Sequence, residues 1–149
     1  MRRSSLPDLI CLCGTLRRTA RALTQLYEDS LRPLGLRTTQ LTILQVLMRA
    51  GGITQRQMGE ILAMDSTSLS RTLDIMRRRG WVAERRGKDR RERRLSLAPG
   101  GKALLQRALP VWEKLQTRLA RQLGKKRWKA LFNLANKATE MAKSQGGLS

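Results

Sequence analysis

Histidine is absent from all 149 residues, which removes the commonest zinc and haem ligand and the usual base for activating a nucleophile. Acidic residues are scarce as well: 11 Asp and Glu stand against 31 Lys and Arg. There is no Gly-rich phosphate loop, no paired carboxylates and no Ser/Lys arrangement with a partner, so an enzyme is not expected, nor a cofactor or metal site. No apolar run reaches about 18 residues, so no membrane span is expected. Behind the basic start Met1-Arg2-Arg3, the residues Pro7, Asp8, Arg17, Arg18 and Arg21 break up any signal-peptide core. Aromatics amount to 3%, and only Trp81 lies near the most basic stretch, which leaves base stacking on single strands poorly supplied. The two cysteines, Cys11 and Cys13, are two residues apart; inside one helix their side chains would point to different faces, so an intrachain bridge is not expected.

What the chain does have is positive charge. A formal net charge of +20 exceeds what solubility needs and works against compaction, so a polyanion partner is expected. With 40% hydrophobic residues there is room for one compact domain, or a small module with a dimerisation arm.

Apolar residues at helical spacing (Leu9, Leu12, Leu16, Leu23, Leu26) predict a first helix from about Leu6 to Leu31, ended by Pro33 and Gly35. A second is predicted over Thr39–Met48, before Gly51-Gly52. Thr54 opens a short third helix with Met58, Ile61 and Leu62 inward, and Asp65-Ser66-Thr67-Ser68 offers N-cap oxygens to a fourth that buries Leu69, Leu73 and Met76 and stops at Gly80. Residues 81–85 and 94–97 read as two short strands around the polar loop Gly87-Lys88-Asp89-Arg90-Arg91. Pro99-Gly100-Gly101 ends the strand pair and starts a long helix, with a fault or kink at Pro110, and a last helix follows Gly124. Met48, Met58, Met64 and Met76 read as core fillers, and Trp112 and Trp128 as packing residues. The fold class is therefore mainly α with a small β-hairpin: two short helices, a tight turn, then a basic wing.

Helix, turn, helix and basic hairpin suit duplex DNA, since the second helix of such a pair fits the major groove. The face opposite Leu69, Leu73 and Met76 presents Ser66, Thr67, Ser68, Ser70, Arg71 and Arg78, small hydroxyls that allow close approach and arginines that can pair with guanine. Taken alone, that face could equally be a solvated surface. The neighbouring hairpin weighs against this, because Arg86, Lys88, Arg90 and Arg91, with only Asp89 among them, repel one another unless phosphate intervenes. A sequence-indifferent nucleic-acid-packaging protein, held by charge alone, is the rival reading.

These residues resemble the MarR family of bacterial regulators. The resemblance is carried by Leu62-Ala63-Met64-Asp65-Ser66-Thr67-Ser68-Leu69-Ser70-Arg71, by Arg79-Gly80-Trp81-Val82, by Asp89-Arg90-Arg91 and by Leu95-Ser96-Leu97-Ala98-Pro99-Gly100-Gly101, and it extends over nearly the whole chain. It implies a winged helix-turn-helix, residues 36–98, between an N-terminal dimerisation helix, 1–35, and C-terminal dimerisation helices, 99–149. These outer helices would interlock into a homodimer on a pseudo-palindromic operator. The implied function is a sequence-specific transcriptional regulator, a repressor released by a small-molecule or redox signal, in the cytoplasm at the nucleoid. Asp89 would hold Arg91 for the minor groove. Excess Leu and Trp in the terminal segments independently favours a partner chain.

Two effector sites are expected. Leu12-Cys13-Gly14-Thr15-Leu16 with Tyr27 resembles the first helix of the family's organic-peroxide-sensing branch, although Arg17 and Thr38 stand at its other aromatic positions and no distant second cysteine exists. Arg17, one turn from Cys13, favours a thiolate; the alternative readings of Cys11 and Cys13 are small apolar fillers of a helix, or a soft-metal pair shared by two chains. By resemblance, a small aromatic effector would lie among Leu16, Ala20, Leu44, Met48 and Trp112.

Overall fold

The structure, a computed structural model, describes residues 8–89 and 92–146. The chain divides into two compact units, Met1–Val111 and Trp112–Ser149. The first holds helices α1 (Leu12–Leu31), α2 (Thr38–Ala50), α3 (Gln55–Leu62) and α4 (Ser66–Arg78), strands β1 (Ile53–Thr54), β2 (Val82–Arg86) and β3 (Arg93–Leu97), and the first half of α5 (Pro99–Leu123). The second holds the rest of α5 and α6 (Lys125–Gln145). No described helix is long and apolar enough to cross a membrane.

Side chains that satisfy the free N–H groups open the central helices. The Gln40 side-chain carbonyl accepts the Arg37 N–H at 2.9 Å before α2. At α3, Thr54 Oγ1 accepts the Gln57 N–H at 3.1 Å while Gln57 Oε1 accepts the Thr54 N–H at 2.9 Å, a reciprocal capping box. Between α3 and α4 the chain reverses through Ala63, whose φ of 51° is left-handed, a region that favours glycine.

The core of the first unit is aliphatic. Ile43 and Leu44 of α2, Met58 of α3, Leu73 and Met76 of α4 and Leu105 of α5 are fully buried, each contributing roughly 1.5–3 kcal/mol by leaving water. The apolar residues of α4 fall at the predicted spacing, so tertiary burial and helical period agree there. Met58 and Met76 fill the core as expected; Met48 does not, being 45% exposed near the end of α2, where the helix turns that position outward.

Two other expectations are corrected. The first helix begins at Leu12, not near Leu6, which lies outside the described residues; Leu9, Ile10 and Cys11 precede it, with Cys11 in an extended conformation. Thr15 explains the start, since its N–H donates to the Cys11 carbonyl at 2.9 Å and closes the first turn there. The sheet has three strands in the order β1-β3-β2, because Ile53 and Thr54 pair antiparallel with Leu95 and Arg94. The long helix starts at Pro99, in the Pro99-Gly100-Gly101 stretch: the Ala98 carbonyl accepts the Lys102 N–H at 2.9 Å, and proline at the first helical position loses no bond. Helix α5 runs on through Pro110, and the boundary between the units falls beside it.

A backbone crossing joins sheet and helix. The Trp81 carbonyl accepts the Ala98 N–H at 3.1 Å, and a Cβ on Gly101 would lie 2.1 Å from the same oxygen. Only hydrogen fits there. Gly101→Ala should therefore destabilise the protein by about 3 kcal/mol or more, read as a lower midpoint in urea unfolding; an unchanged midpoint would show that this crossing opens without cost.

Candidate nucleic-acid interface

Helix α4 follows α3 across the three residues 63–65, and Asp65 fixes its start: Oδ1 accepts the Ser68 N–H at 2.8 Å. Backbone and side-chain hydrogen bonding to Ser68 holds the Asp65 carboxyl below the usual carboxylate range. The first turn beyond this cap exposes Ser66, Thr67 and Ser68, and Arg71 stands exposed one turn on. Arg71 has no ion-pair partner among the described residues. Arg78 is exposed in the last turn, its Nε donating to the Asp74 carbonyl at 3.3 Å.

Ser70 has a different position. It is half-buried, and its hydroxyl accepts from Gln55 Nε2 at 2.6 Å, so it braces α3 against α4 instead of standing free on the outer face. Helical spacing alone puts Ser70 beside Arg71; the bond to a residue fifteen positions away has no local signal. Gln55 is thus a positioning residue that sequence reasoning missed.

Arg77 ties the same helix to the wing. Its guanidinium bonds Asp74 within α4 and Glu84 on β2, and Glu84 also receives Arg93 of β3 at 3.3 Å. Arg77 and Glu84 side chains are each only 27% exposed. Arg77 is therefore committed to the fold and unavailable to phosphate. Close by, the Arg79 guanidinium lies 4.9 Å from the Trp81 ring centroid while donating to the Gly35 carbonyl at 3.1 Å, which anchors the entrance to β2.

The hairpin places Arg85 opposite Arg94 and Arg86 opposite Arg93. Like charges directly opposed across strands destabilise a sheet, by a fraction of a kcal/mol to about 1 kcal/mol per pair. Arg93 and Arg94 each have an acidic partner, Glu84 and Glu92, but Arg85 and Arg86 form no ion pair among the described residues. The loop is closed by the Gly87 N–H donating to the Glu92 carbonyl at 2.7 Å and the Glu92 N–H to the Asp89 carbonyl at 3.0 Å. Lys88 is exposed at its tip. Arg90 and Arg91 lie outside the described residues.

The expected effector residues are placed less favourably. Cys11 and Cys13 are both exposed, so within the single chain neither fills a core. Because Cys11 lies outside α1, the helix-face argument against an intrachain bridge does not hold for them. Tyr27 is half-buried, and burial raises its hydroxyl pKa. Of the five expected pocket residues, Leu44 is fully buried in the core, Leu16, Ala20 and Met48 are exposed, and Trp112 belongs to the second unit. A groove of about 410 Å³ along α1 includes only Ala20 of these, with Thr24, Glu28, Asp29 and Arg32 among its walls. Among the described residues no group of three or more His, Cys, Asp or Glu could hold a metal ion.

Two helices linked by a tight turn, with a paired basic hairpin behind them, constitute a winged helix-turn-helix. The model of the MarR family matches residues 34–92. The M. tuberculosis transcriptional regulator MosR, solved in complex with DNA, is 34% identical, with a TM-score of 0.80 over 90% of this chain and 97% of that one. A mutant MarR from E. coli, complexed with operator DNA, is 25% identical, with a TM-score of 0.77 over 89% of this chain and 99% of that one. An uncharacterized HTH-type transcriptional regulator of Bacillus subtilis, YwoH, is 29% identical over 82 residues, 55% of this chain. The match spans 60% of the length of that curated relative. The chain belongs to the MarR family, a family of transcriptional regulators and not of enzymes.

Asp65 lends itself to a direct test. Its carboxyl titrates below the unfolded value, so its contribution is complete above the unfolded pKa and is lost as pH falls through the folded one. Asp65→Asn, which keeps a capping oxygen but does not titrate, should lie closest in melting temperature to the native protein at acid pH and fall behind as pH rises through the carboxylate range. Asp65→Ala should melt lower than both at neutral pH. A native-minus-Asn difference independent of pH between 2 and 6 would remove the charged cap.

Proposed function

We propose that this chain binds a pseudo-palindromic operator in duplex DNA as a homodimer and represses transcription until a small-molecule or redox signal releases it. The observation that carries the reading is the register of the wing, which sets arginine against arginine twice beside a helix whose first turn is all exposed hydroxyls. Such a hairpin gains stability from phosphate, and such a helix can approach base edges. The DNA complexes of MosR and MarR support the same reading.

In this scheme Ser66, Thr67, Ser68, Arg71 and Arg78 meet the major groove, with Ser70 behind them as a brace. Arg86, Lys88, Arg90 and Arg91, with Asp89 orienting Arg91, meet phosphate and the minor groove. Residues 1–35 and 99–149 form the dimer base around the 36–98 reading module. The exposed apolar side chains support this: Leu12, Leu16 and Leu23 on α1, and Leu131, Phe132 and Leu134 on α6, remain in water in the single chain. The protein acts without catalysis, in the cytoplasm at the nucleoid.

For the signal, we assign Cys13 as the reacting thiol. It is exposed in the first turn of α1, where a peroxide can reach it, and Arg17 stands one helical turn on. A hydroperoxide would transfer one oxygen to that sulfur, giving a sulfenic acid and the corresponding alcohol.

Fluorescence anisotropy tests these assignments. The native protein should prefer the duplex upstream of its own gene over a scrambled one by on the order of a thousandfold. Arg91→Ala should weaken binding to both duplexes, while Arg71→Ala should narrow the preference between them. Equal, steeply salt-dependent binding to both by the native protein would favour the packaging alternative. Cys13→Ser should make the complex insensitive to mild peroxide; release that persists in this variant would remove Cys13 from the mechanism.

A further inference from the structure

From Lys114 to Thr139 the second unit contains no acidic residue but carries Lys114, Arg118, Arg121, Lys125, Lys126, Arg127, Lys129 and Lys137, every one of them exposed. Among the described residues none of these cations forms an ion pair. The first unit differs: there Glu28, Asp29, Glu60, Asp74, Glu84 and Glu92 each hold at least one arginine.

The cations are also ordered. Lys125, Lys129 and Lys137 lie at i, i+4 and i+12 on α6, with Asn133 completing the row, so they follow one ridge of the helix that rises about 6 Å and turns about 40° per step, spread over one broad face. Lys126 flanks this ridge, and the opposite face carries Trp128, Leu131, Ala135 and Ala138. Lys114, Arg118 and Arg121 make a matching row at i, i+4 and i+7 in the last turns of α5. The first turn of α6 has no acidic residue, and its cap, Gly124, provides no side-chain bond. Cations at that end oppose the helix dipole and repel one another, so the arrangement costs stability unless an external anion neutralises it.

We infer that the α5–α6 corner is a second polyanion surface, separate from the winged helix, that takes the phosphate backbone of duplex DNA outside the recognition site. The inference rests on the proposed function in one respect: a chain that already holds DNA through its wing presents this corner to more DNA at high effective concentration. That linkage favours nucleic acid over an anionic lipid surface, the other partner a row of lysines could meet. The apolar face of α6, which a lipid surface would need, is the face the proposed dimer buries. The DNA could be the flank of the bound duplex or a second duplex bridged to it; the phosphate chemistry is the same.

The test uses the full chain and its variant K125Q/K126Q/K129Q/K137Q, with R118Q/R121Q as a second, independent variant, both verified by circular dichroism melts. Anisotropy is measured over a salt series on a duplex limited to the recognition site, on the same site extended on both sides, and on a scrambled duplex of the extended length. The quadruple variant should lower the slope of log K against log salt by about 3.6 units on the extended and scrambled duplexes and leave the short duplex unchanged. R118Q/R121Q should lower it by about 1.8. Energy transfer between two differently labelled short duplexes, lost in the variants, would assign the surface to bridging; loss confined to the extended duplex would assign it to the flank. Slopes identical to the native protein on all duplexes would overturn the surface. So would a variant that retains DNA affinity and loses only binding to vesicles of phosphatidylserine. Failure of the proposed function has its own readout, the native protein's lack of preference between the extended duplex and the scrambled duplex of the same length.

Discussion

The bond between Arg77 and Glu84 fixes the relation on which any reading of a duplex by this fold depends. One partner belongs to α4 and the other to β2, so the helix that presents the hydroxyls and the hairpin that presents the arginines cannot move independently without separating a half-buried ion pair. The cost of separation is large for its type, because Arg77 Nε is already buried without a partner and the guanidinium has little water to fall back on. Glu84 extends the tie to Arg93, so a single carboxylate joins three elements. Gln55 holds α3 to α4 in the same manner from the other side. A surface complementary to a double helix has to be rigid in two directions, and these two bonds provide one each.

Charge is distributed with the same economy. In the first unit the carboxylates of Asp74 and Glu84 hold Arg77, which serves the fold, while Arg71, Arg85, Arg86 and Lys88 around the helix and the wing stay exposed without an ion pair among the described residues. The second unit has no such partition between residues 114 and 139. The fully buried aliphatic side chains make the first unit a domain with its own core, whereas α6 has no fully buried residue.

Much of this was legible before any coordinates. Helices α2, α3 and α4 could be read because local signals agree with burial: Thr54 and Asp65 are strong caps, and Leu69, Leu73 and Met76 repeat at the spacing that one core face requires. The family resemblance came from the same stretch. The misses share a physical origin in contacts that no window of sequence contains. Strand β1 is two residues long and exists only because β3 pairs with it, so Ile53 and Thr54 carry no period of their own. Leu9 continues the leucine spacing of α1, yet the helix starts later because Thr15 closes on Cys11. Ser70 lies on the expected helical face but is claimed by Gln55, and Leu44, expected to line a cleft, is consumed by the core.

The strand order β1-β3-β2 has an effect on solubility. With β3 in the middle, the sheet has two free margins, one only two residues long and the other β2, whose outer half reads Glu84-Arg85-Arg86. An exposed strand margin is a template for self-association, and strongly charged or very short margins are what prevent one molecule from adding its strand to another. The arginines suited to phosphate thus also keep the wings of neighbouring molecules apart, and replacing them with neutral β-formers would remove a barrier to aggregation along with the proposed contact to DNA.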